Sequence, residues 1–366
     1  MSVVGRYLYP ARVIPLNRAN LTRVAASVGS SYRGRDTAAM PSAVGIDVSD
    51  ACNIACAVCS REIDWDQRDT AILKLERFQH LYDQIRPVYL SLSGYGETLL
   101  NKHVPAMVAH AVAGGSQVTL VTNGTLLDAD RASALLDAGL ARIKVSIDAA
   151  DPEVYAKVRA GADLEAVLGN VERLLLMRDA NRYAHPKVEL QFTIFRDNVD
   201  QVEKLIELCH RRFTTVEPYF HVMFTYGEQA AFVDKTLEIG SDAVETLRRA
   251  AILARKYRYI RTASSLETSV TQLTTDLSRA PCYIPWYSCI ISTDGDVYPC
   301  CYHTIRGTKV GNAFQTPFAD IWNGAAMQAF RGALRVRRCD DKVCATCRYE
   351  DAPMEKVFSW ARRVGV

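Results

Sequence analysis

Between about residues 44 and 225 the chain alternates short β-rich runs with longer amphipathic stretches, and this alternation limits its possible folds. Apolar residues at three and four spacing in the longer stretches predict helices that pack on a sheet. Strand and helix in regular alternation are typical of parallel βα units. Six strands are predicted: Val44–Val48, Val88–Ser93, Gln117–Val121, Arg142–Ile147, Val188–Phe195 and Val216–Met223. The helices between them include Thr70–Ile85, Asp128–Ala138, Leu164–Met177 and Val199–Phe213.

Composition and charge exclude several classes of protein. With 366 residues, 49% of them apolar, the chain is long enough for a buried core, so disordered and fibrous classes are excluded. A formal charge of +3 does not favour nucleic acid or a membrane as partner. Arg6, Pro10 and Arg12 interrupt the N-terminal apolar residues, so neither a signal peptide nor a membrane span is predicted. We therefore expect a reducing cytoplasm, where clustered cysteines are metal ligands or catalytic groups more often than disulfides.

The first of two cysteine clusters directly follows the first predicted strand. Cys52, Cys56 and Cys59 are separated by three and then two residues, so a single loop can bring them to one centre. No fourth cysteine or histidine lies close enough in sequence to complete a tetrahedral zinc site, since the nearest histidine is His80. Three soft thiolates suit a [4Fe-4S] cluster that keeps one iron open for another ligand. A zinc site completed from a distant segment, or three buried thiols, is the alternative.

This spacing after the first strand of a six-fold βα pattern resembles the radical S-adenosylmethionine (SAM) superfamily. The resemblance covers roughly residues 44–225 and implies a partial (βα)6 TIM-like barrel, a SAM-binding [4Fe-4S] cluster and SAM itself. The family usually has an aromatic residue before the third cysteine, where this chain has Val58.

Segments at the ends of later strands resemble the SAM-binding motifs of the same family. Ser93-Gly-Tyr-Gly-Glu97 is similar to its GGE motif, which binds the SAM amino group; the segments after the third and fourth strands are similar to its TNG and SxD motifs. Arg159 either pairs with the SAM carboxylate or is a solvated arginine at a helix end. The resemblance implies these cofactor-binding residues: Gly96, Glu97, Asn123, Ser146, Asp148 and Arg159.

Seven of the eleven cysteines form a second cluster near the C-terminus, among turn signals. A zinc ribbon would need a second close pair, but Cys300 and Cys301 are adjacent. The order of a cysteine, Gly-x4-Cys and a later CxxC resembles the SPASM/Twitch extension of radical SAM enzymes. In its shorter Twitch-like form it implies one auxiliary [4Fe-4S] cluster. The ligands it implies are Cys282, Cys300, Cys344 and Cys347.

The remaining cysteines have no assigned role from the sequence. Cys209 lies in a helical pattern and is expected in the core, while Cys289, Cys301 or Cys339 could replace a ligand, donate a hydrogen atom or simply pack. The arginines before the CxxC, such as Arg331, are expected on a solvated helix face.

The predicted organisation is an extension (1–43), the radical SAM core (44–227), a helical connection (228–275), a small iron-sulfur SPASM/Twitch domain (276–350) and a tail (351–366).

The resemblance implies an enzyme that cleaves SAM reductively to a 5′-deoxyadenosyl radical, which abstracts a hydrogen atom from substrate. An auxiliary cluster with four protein ligands favours net oxidation, and the short segment before the first strand favours a small polar metabolite (a sugar, aminocyclitol or nucleoside) over a peptide. A flavodoxin- or ferredoxin-like donor is the expected electron partner. The sequence selects no catalytic base among His221, Tyr219, Tyr226 and Glu228. Peptide modification, a redox-neutral epimerisation or decarboxylation, and a zinc-stabilised binding protein that is not an enzyme are the alternatives.

Overall fold

The computed structural model describes residues 18–61, 70–225, 232–238, 242–275, 282–304, 307–335 and 341–347, and a nine-stranded sheet lies at its centre. Six of its strands run parallel. In their order across the sheet they are β1 (Ala43–Asp47), β3 (Tyr89–Ser93), β4 (Gln117–Thr122), β5 (Arg142–Ser146), β7 (Lys187–Ile194) and β8 (Glu217–Val222). Strands β2 (Ala55–Cys56) and β6 (Arg159–Ala160) form a separate two-stranded sheet. All six predicted strands are therefore present, and the predicted α/β architecture is confirmed.

Helices connect these strands in the manner of βα units. The described helices are α1 (Arg18–Arg33), α2 (Leu75–Ile85), α3 (Val104–Ala113), α4 (Ala129–Asp137), α5 (Pro152–Val158), α6 (Leu164–Ala180), α7 (Gln201–Arg212), α8 (Ala243–Lys256), α9 (Ile260–Thr274), α10 (Phe318–Trp322), α11 (Ala325–Arg335) and α12 (Lys342–Thr346). Helix α2 begins at Leu75 rather than at the predicted Thr70. The preceding residues are extended because they hydrogen-bond to the segment after β1: Leu73 N donates to Val48 O, and Asp50 N donates to Ala71 O.

The two faces of the sheet differ in polarity. On the outer face, residues such as Leu92, Leu120 and Phe192 are buried under the helices and form the main core. The interior of a (βα) barrel is normally filled by bulky branched side chains. Here the alternate positions, including Ser91, Thr119, Lys144, Gln191, Thr193 and His221, carry polar side chains that line cavities.

The C-terminal cysteine-rich segment continues the same sheet. Strand β9 (Ser288–Ile291) pairs in parallel with β1, and β10 (Asp296–Tyr298) and β11 (Gly311–Asn312) follow antiparallel. Trp322 is fully buried, and its Nε1 donates to Ala39 O at 2.8 Å. Arg331 was expected on a solvated face, but this prediction is wrong: the residue is fully buried over the Trp322 ring and donates to Pro285 O at 2.8 Å.

No helix in the described parts of the chain combines the length and apolarity that crossing a membrane would require.

Candidate functional site

A cavity of about 520 Å³ opens at the carboxyl ends of the parallel strands. Every candidate residue from the first part of the chain contributes to its lining. These residues are Cys52, Cys56, Cys59, Gly96, Glu97, Asn123, Ser146, Asp148 and Arg159. The structure thus brings together side chains that are up to 107 positions apart in the sequence, from Cys52 to Arg159.

The loop that carries the three cysteines is anchored by a small antiparallel sheet. Strand β2 (Ala55–Cys56) pairs with β6 (Arg159–Ala160), so that Cys56 lies opposite Arg159. Next to this pair, Ala57 N donates to Val158 O at 3.0 Å, and Cys59 N donates to Cys56 O at 3.1 Å. These backbone bonds hold the cysteines at the wall of the cavity.

The three thiols of the loop lie near one another. The thiols of Cys59 and Cys52 both interact electrostatically with that of Cys56. Three thiolates with one position left open suit a [4Fe-4S] cluster, in which each thiolate binds a different iron.

The thiol of Cys56 is buried beside a cation. Burial raises the pKa of Cys56 to about 12, and Arg159 partly opposes this rise. The Arg159 Nη1 atom lies 3.8 Å from Cys56 Sγ. Since thiolates rather than thiols bind metal, the guanidinium favours the form of Cys56 that a cluster requires.

Two glycines allow the turn after β3 to cross the segment after β1 at close range. A Cβ atom on Gly96 would lie 1.9 Å from Ala51 O, and one on Gly94 would lie 2.4 Å from Ser49 O. This approach lets Gly96 N donate to Ser49 O at 3.0 Å. No side chain fits at either position, so the glycine-rich turn and the cysteine loop are held as one unit.

Glu97 braces the turn against the end of β4. One carboxylate oxygen accepts hydrogen bonds from Leu99 N and Thr122 Oγ1, and the other accepts from Asn123 N at 2.7 Å. Burial raises the pKa of Glu97, while these donors lower it. The side chain of Asn123 continues the brace, since its Nδ2 donates to Asn53 Oδ1 at 3.0 Å. The contact of Glu97 with the SAM amino group remains a prediction.

Asp148 and Arg159 form a buried ion pair. The Asp148 Oδ2 atom lies 2.8 Å from Arg159 Nε and 2.6 Å from Arg159 Nη2. Thr193 N donates to the other oxygen at 2.8 Å. The solvated alternative for Arg159 is thereby excluded, because the residue is only 8% exposed. The pair joins β5 to the cysteine loop.

Sequence reasoning did not identify several polar residues that also line the cavity. Thr193 on β7 is one of them, and its Oγ1 lies 3.0 Å from Nε2 of His221, the base candidate on β8. Asp47 and Thr304 add polar groups from β1 and the C-terminal segment, and Cys301, which the sequence offered as a ligand, a hydrogen-atom donor or a packing residue, lines the same cavity. Polar residues alternate with apolar ones along β7 and β8, and this pattern could have indicated a polar cavity wall. The same pattern is equally typical of a sheet face exposed to solvent, so it does not identify the cavity residues.

Tyr219 is the other base candidate that the structure describes. Tyr219 lines a deeper cavity, on the same strand as His221. Tyr226 and Glu228 lie outside the described residues. Of the two described candidates, His221 is therefore the one that lines the cavity of the cysteine loop.

Three of the four predicted auxiliary ligands interact electrostatically. Burial raises the pKa of Cys300, as do the neighbouring thiols of Cys301, Cys282 and Cys347. Cys344 lies beside His303 instead, with 3.5 Å between its Sγ and the histidine Nε2. Cys209 and Cys289 are fully buried, in agreement with packing roles, and Cys339 lies outside the described residues.

The tautomer of His303 follows from its hydrogen bonds. Thr308 N donates to His303 Nδ1 at 3.0 Å, so the proton of the neutral ring is on Nε2. Burial lowers the pKa of His303, which keeps the ring neutral. Its N–H is therefore directed at the sulfur of Cys344, as expected of a group that orients a metal ligand.

Comparison with known families agrees with this geometry. The Radical SAM superfamily profile matches residues 46–209, and the SPASM profile, described as an iron-sulfur cluster-binding domain, matches residues 282–348. Among curated relatives, the AdoMet-dependent heme synthase of Methanosarcina barkeri is 25% identical over 335 residues, covering 84% of this chain and 91% of that protein. The PqqA peptide cyclase of Streptomyces rochei is 26% identical over 317 residues, covering 84% and 81%.

Solved structures with the same fold include two proteins bound to peptides. Streptococcus suis SuiB bound to precursor peptide SuiA has a TM-score of 0.63 at 14% identity, covering 90% of this chain and 76% of that chain. The structure of anSMEcpe with AdoMet and Cp18Cys peptide has a TM-score of 0.60 at 16% identity, covering 89% and 98%. At these identities the likeness is one of fold alone.

Proposed function

The chain belongs to the radical SAM superfamily and carries a C-terminal SPASM domain, and from this premise we propose that it oxidises a small polar metabolite. Its cofactors are SAM, the SAM-binding [4Fe-4S] cluster and an auxiliary iron-sulfur cluster. The cysteine loop, Cys52, Cys56 and Cys59, would hold the first cluster. Cys282, Cys300, Cys344 and Cys347 would hold the second.

When bound, SAM and the clusters supply a 5′-deoxyadenosyl radical, which removes a hydrogen atom from a substrate C–H bond, and an acceptor for the second electron. The protein positions these groups and excludes water. Gly96 and Glu97 form the turn against which the methionyl part of SAM would lie, and Ser146 and Asp148 line the wall beside it. Arg159 is held by Asp148 beside the cysteine loop, where it would pair with the SAM carboxylate.

The observation that carries the proposal is the size of the space available for SAM and substrate. The cavity of about 520 Å³ adjoins a second of about 500 Å³, and the two share lining residues that include His221 and Cys301. Ligand cavities of roughly 300–1,000 Å³ are typical of small molecules. Together they accommodate SAM and a metabolite of similar or smaller size.

The position of the auxiliary cysteines supports net oxidation. Cys301 lines the substrate space and directly follows Cys300, one of the proposed ligands. A cluster held by four protein thiolates has no iron position for substrate, so accepting an electron is the role its ligand set favours. For an alcohol substrate, His221 is the group we assign to take the hydroxyl proton, because it lies at the junction of the two cavities with Thr193 as its partner.

Peptide modification is the second candidate, supported by the similarity to the PqqA peptide cyclase.

A flavodoxin- or ferredoxin-like protein is the electron donor we propose. We also propose a cytoplasmic location, which agrees with the absence of disulfides among the ten described cysteines.

The test is turnover of reconstituted enzyme under anaerobic conditions with SAM, a reductant and panels of deuterated metabolites or peptides. We expect about eight iron atoms per chain, deuterium transfer into 5′-deoxyadenosine, and a product two hydrogen atoms lighter than a metabolite substrate. His221→Gln should lower product formation by about 100-fold while iron content is unchanged. A product with the mass of its substrate, or turnover of peptides alone, would refute the proposal. Zinc in place of iron would refute radical chemistry altogether.

A further inference from the structure

The second cavity, of about 500 Å³, lies within the curve of the sheet and is lined from β1 to β8 and by helix α9. It adjoins the cavity of the cysteine loop at Ser93, His221 and Tyr302, which line both. The interior of a (βα) barrel is usually filled by layers of bulky branched side chains. An open space of this size that adjoins the first cavity has instead the dimensions of a ligand pocket.

Three strands present neutral polar side chains to this cavity. Ser91 on β3, Thr119 on β4 and Gln191 on β7 line it, and each of them is half-buried. Ser91 and Thr119 are partners in the β3–β4 ladder. The residues before and after each of the three in its strand are buried: Leu90, Leu92, Val118, Leu120, Leu190 and Phe192. Because those neighbours lie under the helices, the exposure that the polar side chains retain is toward the cavity.

The hydrogen-bonding capacity of these three side chains is unused within the protein. In the part of the chain that the structure describes, the hydroxyls of Ser91 and Thr119 and the amide of Gln191 form no hydrogen bond. Thr193, the next inward-facing residue of β7, differs in this respect, since its Oγ1 lies 3.0 Å from His221 Nε2. Polar side chains inside proteins nearly always have a partner in the protein, in water or in a ligand. The partners of these three must therefore come from the contents of the cavity.

Helix α9 brings a second amide to the same cavity. Gln272 lines it and, among the described residues, forms no side-chain hydrogen bond. Thr268, one turn earlier, lines it as well, and so does Ser269. Thr268 Oγ1 donates to Ser264 O, and Ser269 Oγ donates to Ser265 O, each at 3.0 Å. With these protons committed to the helix, the two hydroxyl oxygens serve as acceptors.

The chemistry of these groups indicates which kind of ligand would satisfy them. A primary amide combines donors with an acceptor, and a hydroxyl does the same. Two neighbouring hydroxyl groups on a ligand can accept from an amide nitrogen and donate to its oxygen at the same time. An apolar ligand would displace water and leave the amides and hydroxyls without partners, which costs binding free energy. A ring that carries several hydroxyl groups suits this lining.

Gln191 also connects this cavity to the predicted SAM site. It lies opposite Ser146 in the β5–β7 ladder, and Ser146 lines the cavity of the cysteine loop. Two residues further along β7, Thr193 lines the same first cavity. A molecule held at Gln191 can therefore extend along β7 toward the cysteine loop.

We propose that the second cavity binds the polyhydroxylated part of the substrate, with Gln191, Thr119 and Ser91 as its specificity-determining residues. The reacting part of the same molecule then extends past His221 toward the cysteine loop. This inference rests on the proposed function and narrows its substrate class to metabolites with a polyhydroxylated ring. A cavity that holds water alone is the competing explanation.

The test is calorimetric titration of reconstituted enzyme, in the presence of SAM, with two matched probes. Myo-inositol and cyclohexanol share a six-membered carbon ring but carry six hydroxyl groups and one. Both are neutral, so the ion pairs of Glu189 with Arg261 and Lys144 in the same cavity attract neither by net charge. We expect myo-inositol to bind about tenfold or more tightly than cyclohexanol.

Two variants remove the polar groups and keep the shape of the wall. Gln191→Leu should weaken myo-inositol binding about tenfold, and Thr119→Val should weaken it about two- to tenfold. Neither should weaken cyclohexanol binding. Gln315→Leu is the matched control, because Gln315 is exposed and lies outside the lining of either cavity. Melting temperature and iron content, measured on each variant, establish that the fold and the clusters are intact.

The proposal is overturned if cyclohexanol binds as tightly as myo-inositol, if neither probe binds, or if Gln191→Leu and Gln315→Leu behave alike. Binding does not require turnover, so its outcome is separate from that of the proposed reaction. Binding of myo-inositol that depends on Gln191, with no oxidation of any metabolite, would refute the reaction alone. Oxidation of a metabolite whose affinity is the same in Gln191→Leu, Thr119→Val and the parent enzyme would refute this inference alone.

Discussion

At the scale of single residues, either Cys301 or Cys344 could be the fourth ligand of the auxiliary cluster. Cys301 raises the pKa of Cys300 and lines the cavity of the cysteine loop, whereas the Sγ atom of Cys344 lies 3.5 Å from His303 Nε2. We expect Cys344 to be the ligand, since a neutral N–H donor beside a thiolate is the arrangement that orients and stabilises cluster ligands. Cys344→Ser should therefore lower the iron content from about eight to about four per chain, and Cys301→Ser should leave it unchanged. The opposite pattern in an iron assay would exchange the two assignments.

The two cysteine clusters differ in how far their sequence predicts them. Cys52, Cys56 and Cys59 occupy one loop, so their spacing alone brings them together. The auxiliary ligands come from separate segments, and their meeting depends on how the C-terminal hairpin packs. Glu189 and Lys144 could not be predicted as partners, because polar residues at alternate strand positions are equally typical of a solvated sheet face.

The turn after β3 shows, at the scale of an element, how backbone packing controls the site. Gly96 has no room for a Cβ atom against Ala51 O, so Gly96→Ala must separate this turn from the cysteine loop. We expect this variant to bind SAM at least tenfold more weakly and to lose cluster after gel filtration. Gly169→Ala is the control, because a Cβ atom on this glycine of α6 would meet nothing within 4 Å beyond the helix's own backbone. That substitution should stabilise the helix by about 0.5–1 kcal/mol and leave SAM binding intact. Equal SAM affinity in the two variants would show that the close crossing does not matter.

Element boundaries followed local signals where capping residues mark them. Asp128 caps α4 by accepting from Arg131 N at 2.8 Å, and the predicted start at this residue agrees with the helix. The start of α2 was wrong by five residues because Ala71 and Leu73 bond to the segment after β1, a non-local pairing that periodicity does not reveal. Arg331 was misjudged for a similar reason, since its partners Asp36 and Pro285 come from distant segments.

At the scale of the whole molecule, the nine-stranded sheet makes the cysteine-rich region a continuation of the barrel. β9 pairs with β1, and β1 also leads into the cysteine loop. This connection places Cys301, which follows Cys300 in the sequence, beside the strand ends where the proposed SAM-binding residues lie. In the proposed oxidation, the distance that an electron would travel from substrate to the auxiliary cluster is thus determined by the sheet.

Substitution of Trp322 can test whether the barrel and the C-terminal region unfold together. This residue is fully buried, and its Nε1 donates to Ala39 O just before β1, while Arg331 covers its ring. Trp322→Ala should cost about 3–5 kcal/mol and accelerate hydrogen exchange in β1 and β9 together, because both strands belong to the unit it stabilises. Leu176→Ala removes a side chain that is 72% exposed and should change stability by less than about 0.5 kcal/mol. Faster exchange in β9 with β1 unaffected would show instead that the C-terminal region opens independently of the barrel.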